Sequence, residues 1–286
     1  MSTSFDTASR DPVPVWAGLT LDRPRIMGVL NVTPDSFSDG GRLDAAAAVA
    51  AGLGMRDDGA DIVDVGGEST RPGAAPTSPG LERARILPVI RGLAAAGVRI
   101  SVDTRHAATM AAALDAGAAI VNDVSALTHD PAAAGVVAAR GCPVILMHMR
   151  GTPETMMGLA RYDDVAAEVT AELAERIADA ARAGIGRQAI AIDPGFGFAK
   201  HPPHSLALLR GLDALTALGS PIVAGVSRKG FIRATSGEPD PARNFPGSIA
   251  AGLFALSRGA VMLRVHDVRQ TVQAVRVWHA LTGAAT

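Results

Sequence analysis

Residues 189–200 read AIAIDPGFGFAK, an apolar run closed by the carboxylate of Asp193 and followed by a loop built mainly of Gly and Phe. The run is strand-sized and shows no polar face, which suits a strand covered on both sides in a parallel sheet. An uncompensated carboxylate at such a position is costly, so Asp193 needs a partner, and a bound ligand can supply it. The same unit recurs outward in both directions. Strand-like runs lie at 26–30, 62–65, 98–102, 118–121, 143–147, 221–226 and 260–265. Segments of helical composition separate them, such as 43–58, 81–96, 107–116, 165–183, 206–218, 247–257 and 268–281. Gly59, Gly97, Gly117, Gly141, Gly184, Gly219 and Gly259 each stand just before the next run, where a left-handed residue ends a helix. Eight such units in about 240 residues predict a closed parallel (β/α)8 barrel, with a doubly wound open sheet as the alternative. Neither of the first two strand-to-helix turns has the GxGxxG spacing of a dinucleotide fold.

The composition agrees with one barrel domain over 25–286 behind a lead-in of residues 1–24. The chain has 286 residues and 48% hydrophobic content, enough for one large core. Lys and Arg number 27 against 28 Asp and Glu, so no charge excess recommends nucleic acid or an acidic membrane surface. No signal-like apolar region opens the chain, and no uncharged stretch of about 20 apolar residues occurs, so the expected location is the cytoplasm. The lone Cys142 precedes an apolar run and reads as a packed thiol rather than a nucleophile.

Nearly every run ends in a side chain able to hydrogen-bond or carry charge. In chain order these are Asn31, Glu68 with Thr70 and Arg71, Asp103, Asn122, His148, Asp193, Ser227 with Lys229, and Arg264 with His266. In a barrel these positions face one rim, where active sites of this fold assemble. Asp and Asn also end strands because they favour turns and helix caps, which explains a single case better than the whole set. Arg264 and His266 flank the apolar Val265, so they point to the same side and suggest a two-pronged anion clamp.

The segments GVLNVTPDSFSDGG (28–41), DVGGESTRPG (64–73), SVDT (101–104), VNDVSA (121–126), MHMRGTPETM (147–156), DPGFGFAK (193–200), SRKGF (227–231) and RVHDV (264–268) together resemble those of the dihydropteroate synthases, in that family's order. The resemblance implies substitution at the methylene carbon of a dihydropterin methyl diphosphate by 4-aminobenzoate, with loss of diphosphate. It implies Asp103, Asn122 and Asp193 on the pterin edge, Lys229 at the pterin carbonyl and ring nitrogen, and Met147 packed nearby. Arg264 and His266 would hold the diphosphate, with Asn31 and Mg2+ as a further contact and Asp35 as a second possible one. Thr70, Arg71, Pro72, Phe37 and Phe198 are implied for the 4-aminobenzoate slot. The first and second loops, rich in Gly, Ser and Pro, are expected to order only when ligand binds. One departure stands out: the family has a hydroxyl residue where this chain has Gly230, and the Gly230 amide or the Ser227 hydroxyl would have to substitute. Members of the family often form homodimers. Alternatives are a pterin-binding paralogue with weak or no synthase activity, a pterin-dependent methyltransferase domain, and a Schiff-base lyase using Lys229.

Overall fold

The computed structural model describes residues 13–33, 38–39, 42–71 and 73–283, with 38, 39, 42 and 43 described through their backbone alone. Eight parallel strands close into a barrel. In chain order they are β1 (Arg25–Asn31), β2 (Ile62–Gly66), β3 (Ile100–Asp103), β4 (Ile120–Asp123), β5 (Val144–Met147), β6 (Ile190–Asp193), β7 (Ile222–Ala224) and β8 (Ala260–Val265). Pairing of β8 with β1, in which Arg264 lies opposite Met27, closes the ring and removes the open-sheet alternative. Each predicted run appears as a strand because both of its faces are covered. Outward residues such as Val63, Val102, Val121, Leu146 and Ile192 pack in one core with the helices. Burying each of these contributes roughly 1.5–3 kcal/mol.

The surrounding helices are α1 (Ala45–Asp57), α2 (Pro79–Ala95), α3 (Ala107–Asp115), α4 (Ala133–Arg140), α5 (Val165–Arg182), α6 (Pro202–Arg210), α7 (Gly230–Ser236), α8 (Phe245–Ser257) and α9 (Val268–Leu281). Asp44, Ser78 and Asp164 cap α1, α2 and α5 by accepting first-turn amide hydrogen bonds. The helix expected over 206–218 divides. It starts earlier, with prolines in its first turn, ends at Gly211, and continues as a 3-10 turn over Leu212–Leu218. Among the described residues no helix is long and apolar enough to cross a membrane.

The lower end of the barrel is closed by part of the lead-in. A hairpin of Val15–Trp16 and Leu19–Thr20 places Trp16, 1% exposed, against Met27, Ile62, Ile145, Val223 and Met262 inside the barrel. The Trp16 indole donates to the Ala189 carbonyl at 3.0 Å. This apolar plug leaves the opposite, C-terminal end of the strands as the open mouth.

Candidate active site

The strand period of two lifts the inward face from the apolar floor to a polar layer above it. Ile62 is followed by Asp64, Ile120 by Asn122, Ile145 by Met147, Ala191 by Asp193 and Met262 by Arg264. Register sets the layer's order around the ring, with Asp103 opposite Asn122 and Met147 opposite Asp193. Four residues from four strands are bonded together there. Arg264 donates through Nε to Asp64 Oδ2 at 2.7 Å and through Nη2 to Asp103 Oδ2 at 2.7 Å, while Asn122 Nδ2 donates to Asp64 Oδ2 at 3.0 Å. Asp64 is fully buried, and its Oδ1 has no hydrogen-bond partner.

Two carboxylates thus share one guanidinium. Burial raises the Asp103 carboxyl above the ordinary aspartate range against the pull of Arg264, and the charge of Asp64 adds to the rise. Burial likewise raises Asp193, although its Oδ1 accepts the Gly195 amide at 2.7 Å. The partner that the sequence left to a ligand at Asp193 is therefore found within the chain, and Asp103 has one in Arg264. Gly195 has no substitute here. Its φ is +70°, and a Cβ would lie 2.0 Å from the His148 carbonyl oxygen.

The segment after β7 supplies the cation. Arg228 adopts a left-handed φ of 57°, which costs an L-residue about 1–2 kcal/mol. Its guanidinium meets Asp267 at 2.6 and 3.1 Å, and its amide donates to Ser248 Oγ at 2.9 Å, offsetting that strain. The next residue, Lys229, places Nζ 4.3 Å from the centre of the Phe198 ring, a cation–π distance. Burial draws the Lys229 ammonium down to about 8, opposed by the charge of Asp193. His266 Nδ1 lies 3.1 Å from Ser227 Oγ. Burial, with Arg264, Arg228 and Lys229 around it, pulls His266 down to about 3.

Arg264 and His266, the two residues expected to clamp an anion, hold their charge differently: burial disfavours a charge on His266, which leaves its ring to offer hydrogen bonds, while the Arg264 charge is engaged by two carboxylates. The other expected residues are placed as follows. Asn31 ends β1, half-buried and opposite Gly66. Met147 is buried at the end of β5. Half-buried Thr70 and exposed Arg71 lie on the loop after β2, which is tied to the β5 loop by the Gly73 amide donating to the Pro153 carbonyl at 3.0 Å. Gly230 is exposed at the start of α7. Asp35, Phe37 and Pro72 lie outside the described residues. Cys142 is buried, and burial raises its thiol, as a packed rather than nucleophilic side chain requires.

Two participants escape the sequence reading. Asp64 sits within an apolar run, and its partner Arg264 is 200 residues away. Lys200, 2% exposed, donates from Nζ to His148 Nδ1 at 2.8 Å, to the Gly195 carbonyl at 3.1 Å and to the Phe198 carbonyl at 3.0 Å. Three acceptors around one ammonium match its three donors. Behind it, His148 Nε2 meets Glu172 at 2.9 Å, and Arg150 pairs with Glu172 and Glu168.

Glu68, Glu82 and His106 bring one ligand-type atom each within 4.8 Å of one another. Glu68 is already bound by Arg105 through two 3.0 Å bonds, and His106 pairs with Glu82 at 3.1 Å. These contacts give each of the three side chains a partner below the second loop. They do not describe an open cation site.

Residues 27–266 match the family described as "Pterin binding enzyme". The dihydropteroate synthase of Neisseria meningitidis serogroup C is 46% identical over 265 residues, spanning 91% of this chain and 94% of that protein. The dihydropteroate synthase of Xanthomonas albilineans, solved with 4-aminobenzoic acid, superposes with a TM-score of 0.88 at 49% identity, covering 93% of this chain and 97% of that one. The same enzyme solved with 7,8-dihydropteroate gives a TM-score of 0.85 at 46% identity, covering 93% and 96%. With one barrel, one polar mouth and likeness over almost the whole length of both chains, this protein belongs to the pterin-binding enzyme family, among its dihydropteroate synthases.

Proposed function

We propose that the barrel mouth joins a dihydropterin methyl diphosphate to 4-aminobenzoate, giving 7,8-dihydropteroate and diphosphate. The observation that carries the reading is the buried polar layer. Asp103, Asn122 and Asp193 face a mouth that also holds Lys229, and a flat heterocycle with alternating donors and acceptors needs that mixture of partners. Asp103 and Asp193 accept from the pterin N–H groups, Asn122 can donate or accept, and Lys229 donates to the pterin carbonyl. Charge-assisted bonds of this kind contribute about 1.5–3 kcal/mol each, enough to orient a small rigid ring.

The reaction breaks the bond from the methylene carbon to the diphosphate oxygen, and the bonding pair leaves with diphosphate. The arylamine nitrogen then bonds to the electron-poor methylene and gives up one proton. A neutral arylamine is already nucleophilic, so the site's work is electrostatic: fixed carboxylates near a carbon that gains positive charge, and donors near the departing anion. Neutral His266 and the remaining donor capacity of Arg264 serve the anion. Asn31, half-buried at the end of β1, would hold Mg2+ through its amide oxygen, with phosphate oxygens and water as the ion's other ligands, so no dedicated carboxylate cage would be needed. When bound, the ion would neutralise charge on the leaving diphosphate.

Phe198 and the loop of Thr70 and Arg71 border the arylamine side. Among the described residues, a Cβ added at Gly230 would meet only Arg233, whose Nη2 lies 3.8 Å away. Gly230→Ser is therefore expected to lower KM for 4-aminobenzoate about fivefold, the worth of one hydrogen bond near 1 kcal/mol, with kcat unchanged. Steady-state kinetics beside Gly230→Ala, expected to match the parent, checks this. Lys229 makes a further prediction on pH. Losing its proton takes the positive charge out of its bond to the pterin carbonyl, so kcat/KM for the dihydropterin substrate should fall as pH rises through about 8. In Lys229→Arg, whose guanidinium keeps its proton, whatever activity remains should show no such limb.

Exposed Phe245 and Phe254 on α8, and Val277 and Leu281 on α9, support a homodimer through these helices. Sedimentation should find a dimer that Phe254→Glu with Leu281→Glu converts to a monomer. The direct test of the function is pyrophosphate release by purified protein with Mg2+ and dihydropterin diphosphate. Release that requires 4-aminobenzoate supports the reading. Pterin binding without arylamine-dependent release would favour a non-catalytic paralogue instead.

A further inference from the structure

The loop Asp193–Lys200 has three left-handed residues in close succession, at Gly195 (φ +70°), Gly197 (φ +78°) and Ala199 (φ +49°). A short segment with that much unusual backbone holds its shape only if other contacts determine it. Its two ends are fixed by different means. At the Asp193 end, the Asp193 carbonyl accepts the His148 amide at 2.9 Å and its side chain accepts the Gly195 amide at 2.7 Å. At the Phe198 end, the Phe198 amide donates to the Gly195 carbonyl at 3.1 Å and the Gly197 amide to Ser205 Oγ at 3.2 Å, and the Lys200 ammonium adds bonds to the carbonyls of Gly195 and Phe198 while His148 Nδ1 anchors it from below. The His148 tautomer agrees with this, since Nδ1 accepts from Lys200 while Nε2–H donates to Glu172. Phe198 lies directly against the Lys229 ammonium.

We infer that Lys200 is a positioning residue whose buried ammonium staples the Gly195–Phe198 turn to His148 and so holds Phe198 against Lys229 on the arylamine side of the mouth. The inference rests on the arylamine reading of that side. Lys200 touches neither substrate, and its effect passes through Phe198. Pterin affinity is insulated from it, because the Asp193 end of the loop keeps its own two bonds.

A double-mutant cycle with Lys200→Met and Phe198→Ala tests this. Each single change should raise KM for 4-aminobenzoate about tenfold, and the pair should also give about tenfold rather than a hundredfold, because the second change removes what the first has already lost. The Kd for dihydropterin diphosphate alone, read by calorimetry, should move less than about threefold in Lys200→Met. Additive KM effects, an unchanged KM in Lys200→Met, or an equal loss of pterin affinity would overturn the proposal. If Lys200→Met does not fold, Lys200→Arg carries the comparison, since its planar fork cannot reach all three acceptors. A rise in KM of about threefold is then expected, and no change overturns it. A Phe198→Trp reporter gives a readout independent of turnover. Its emission, taken by difference against the native Trp16 and Trp278, should shift toward that of a solvent-exposed indole when Lys200 becomes Met. Unaltered emission counts against the staple even in a protein that forms no product, while missing turnover with a shifted emission counts against the arylamine reading alone.

Discussion

Lys229→Met should lower kcat/KM about a thousandfold while leaving the thermal midpoint unchanged or a few degrees higher. On the proposed function, the activity loss follows from removing the lysine donor to the pterin, since a fixed charged donor is commonly worth 10²–10³ in rate or more. The stability result follows from the opposite sign of the same burial. The surroundings pull the Lys229 ammonium down to about 8, so the folded state holds this cation against a desolvation cost. Methionine has similar length, no charge to desolvate, and apolar contact with Phe198 still available. In a domain of this size, a gain of about 1 kcal/mol corresponds to roughly 2–3 °C. A lysine kept for structure would behave otherwise, with activity and melting temperature falling together. Calorimetric melting and initial rates on one preparation decide between them.

The second large effect belongs to Asp64, which faces inward below the mouth and need not touch a ligand. Asp64→Ala leaves Asn122 Nδ2 without its acceptor and removes one of the two carboxylates that neutralise Arg264. Breaking a buried ion pair from one side typically costs about 3–5 kcal/mol, so a midpoint drop of about 10 °C is expected. Rates should fall at least about a hundredfold as well, because Arg264 would swing fully onto Asp103 and Asn122 would lose its orientation. Adding Arg264→Met should deepen both losses, because it takes from buried Asp103 the guanidinium that Asp64→Ala still leaves it. If Asp64→Ala melts like the parent, the shared guanidinium does not organise the mouth.

Most of the fold was legible because a strand buried on both faces leaves a local mark, an apolar run of four to six residues, and the glycine after each helix leaves another. The eight runs therefore appear where β1 to β8 stand. The helix break at Gly211 was less visible, because Leu206–Leu218 keeps helical composition across it and only the prolines at 202 and 203 signal the earlier start. In the site, side chains that end strands could be found by position, among them Asp103, Asn122, Asp193, Lys229 and Arg264. What those side chains bond to could not be read. Spacing shows that Arg264 and His266 share a side, but not that Arg264 turns inward to two carboxylates or that its charge helps keep His266 neutral. Asp64 was hidden because one carboxylate among Ile62, Val63 and Val65 gives no periodic signal, and its role depends on a contact across the closed barrel. Lys200 was hidden for a related reason, since two of its three partners are backbone carbonyls that any sequence would offer.

On the proposed function, side chains drawn from six strands and their loops enclose one flat heterocycle beside an anion. A crystal structure of the protein soaked with dihydropterin diphosphate and Mg2+ tests it directly. The pterin should lie edge-on to Asp103, Asn122 and Asp193, with the Lys229 ammonium within hydrogen-bonding distance of its carbonyl and the diphosphate turned toward Arg264, His266 and Asn31. A pterin bound outside the mouth, or inside it with the diphosphate pointing away from β8, would rule that arrangement out.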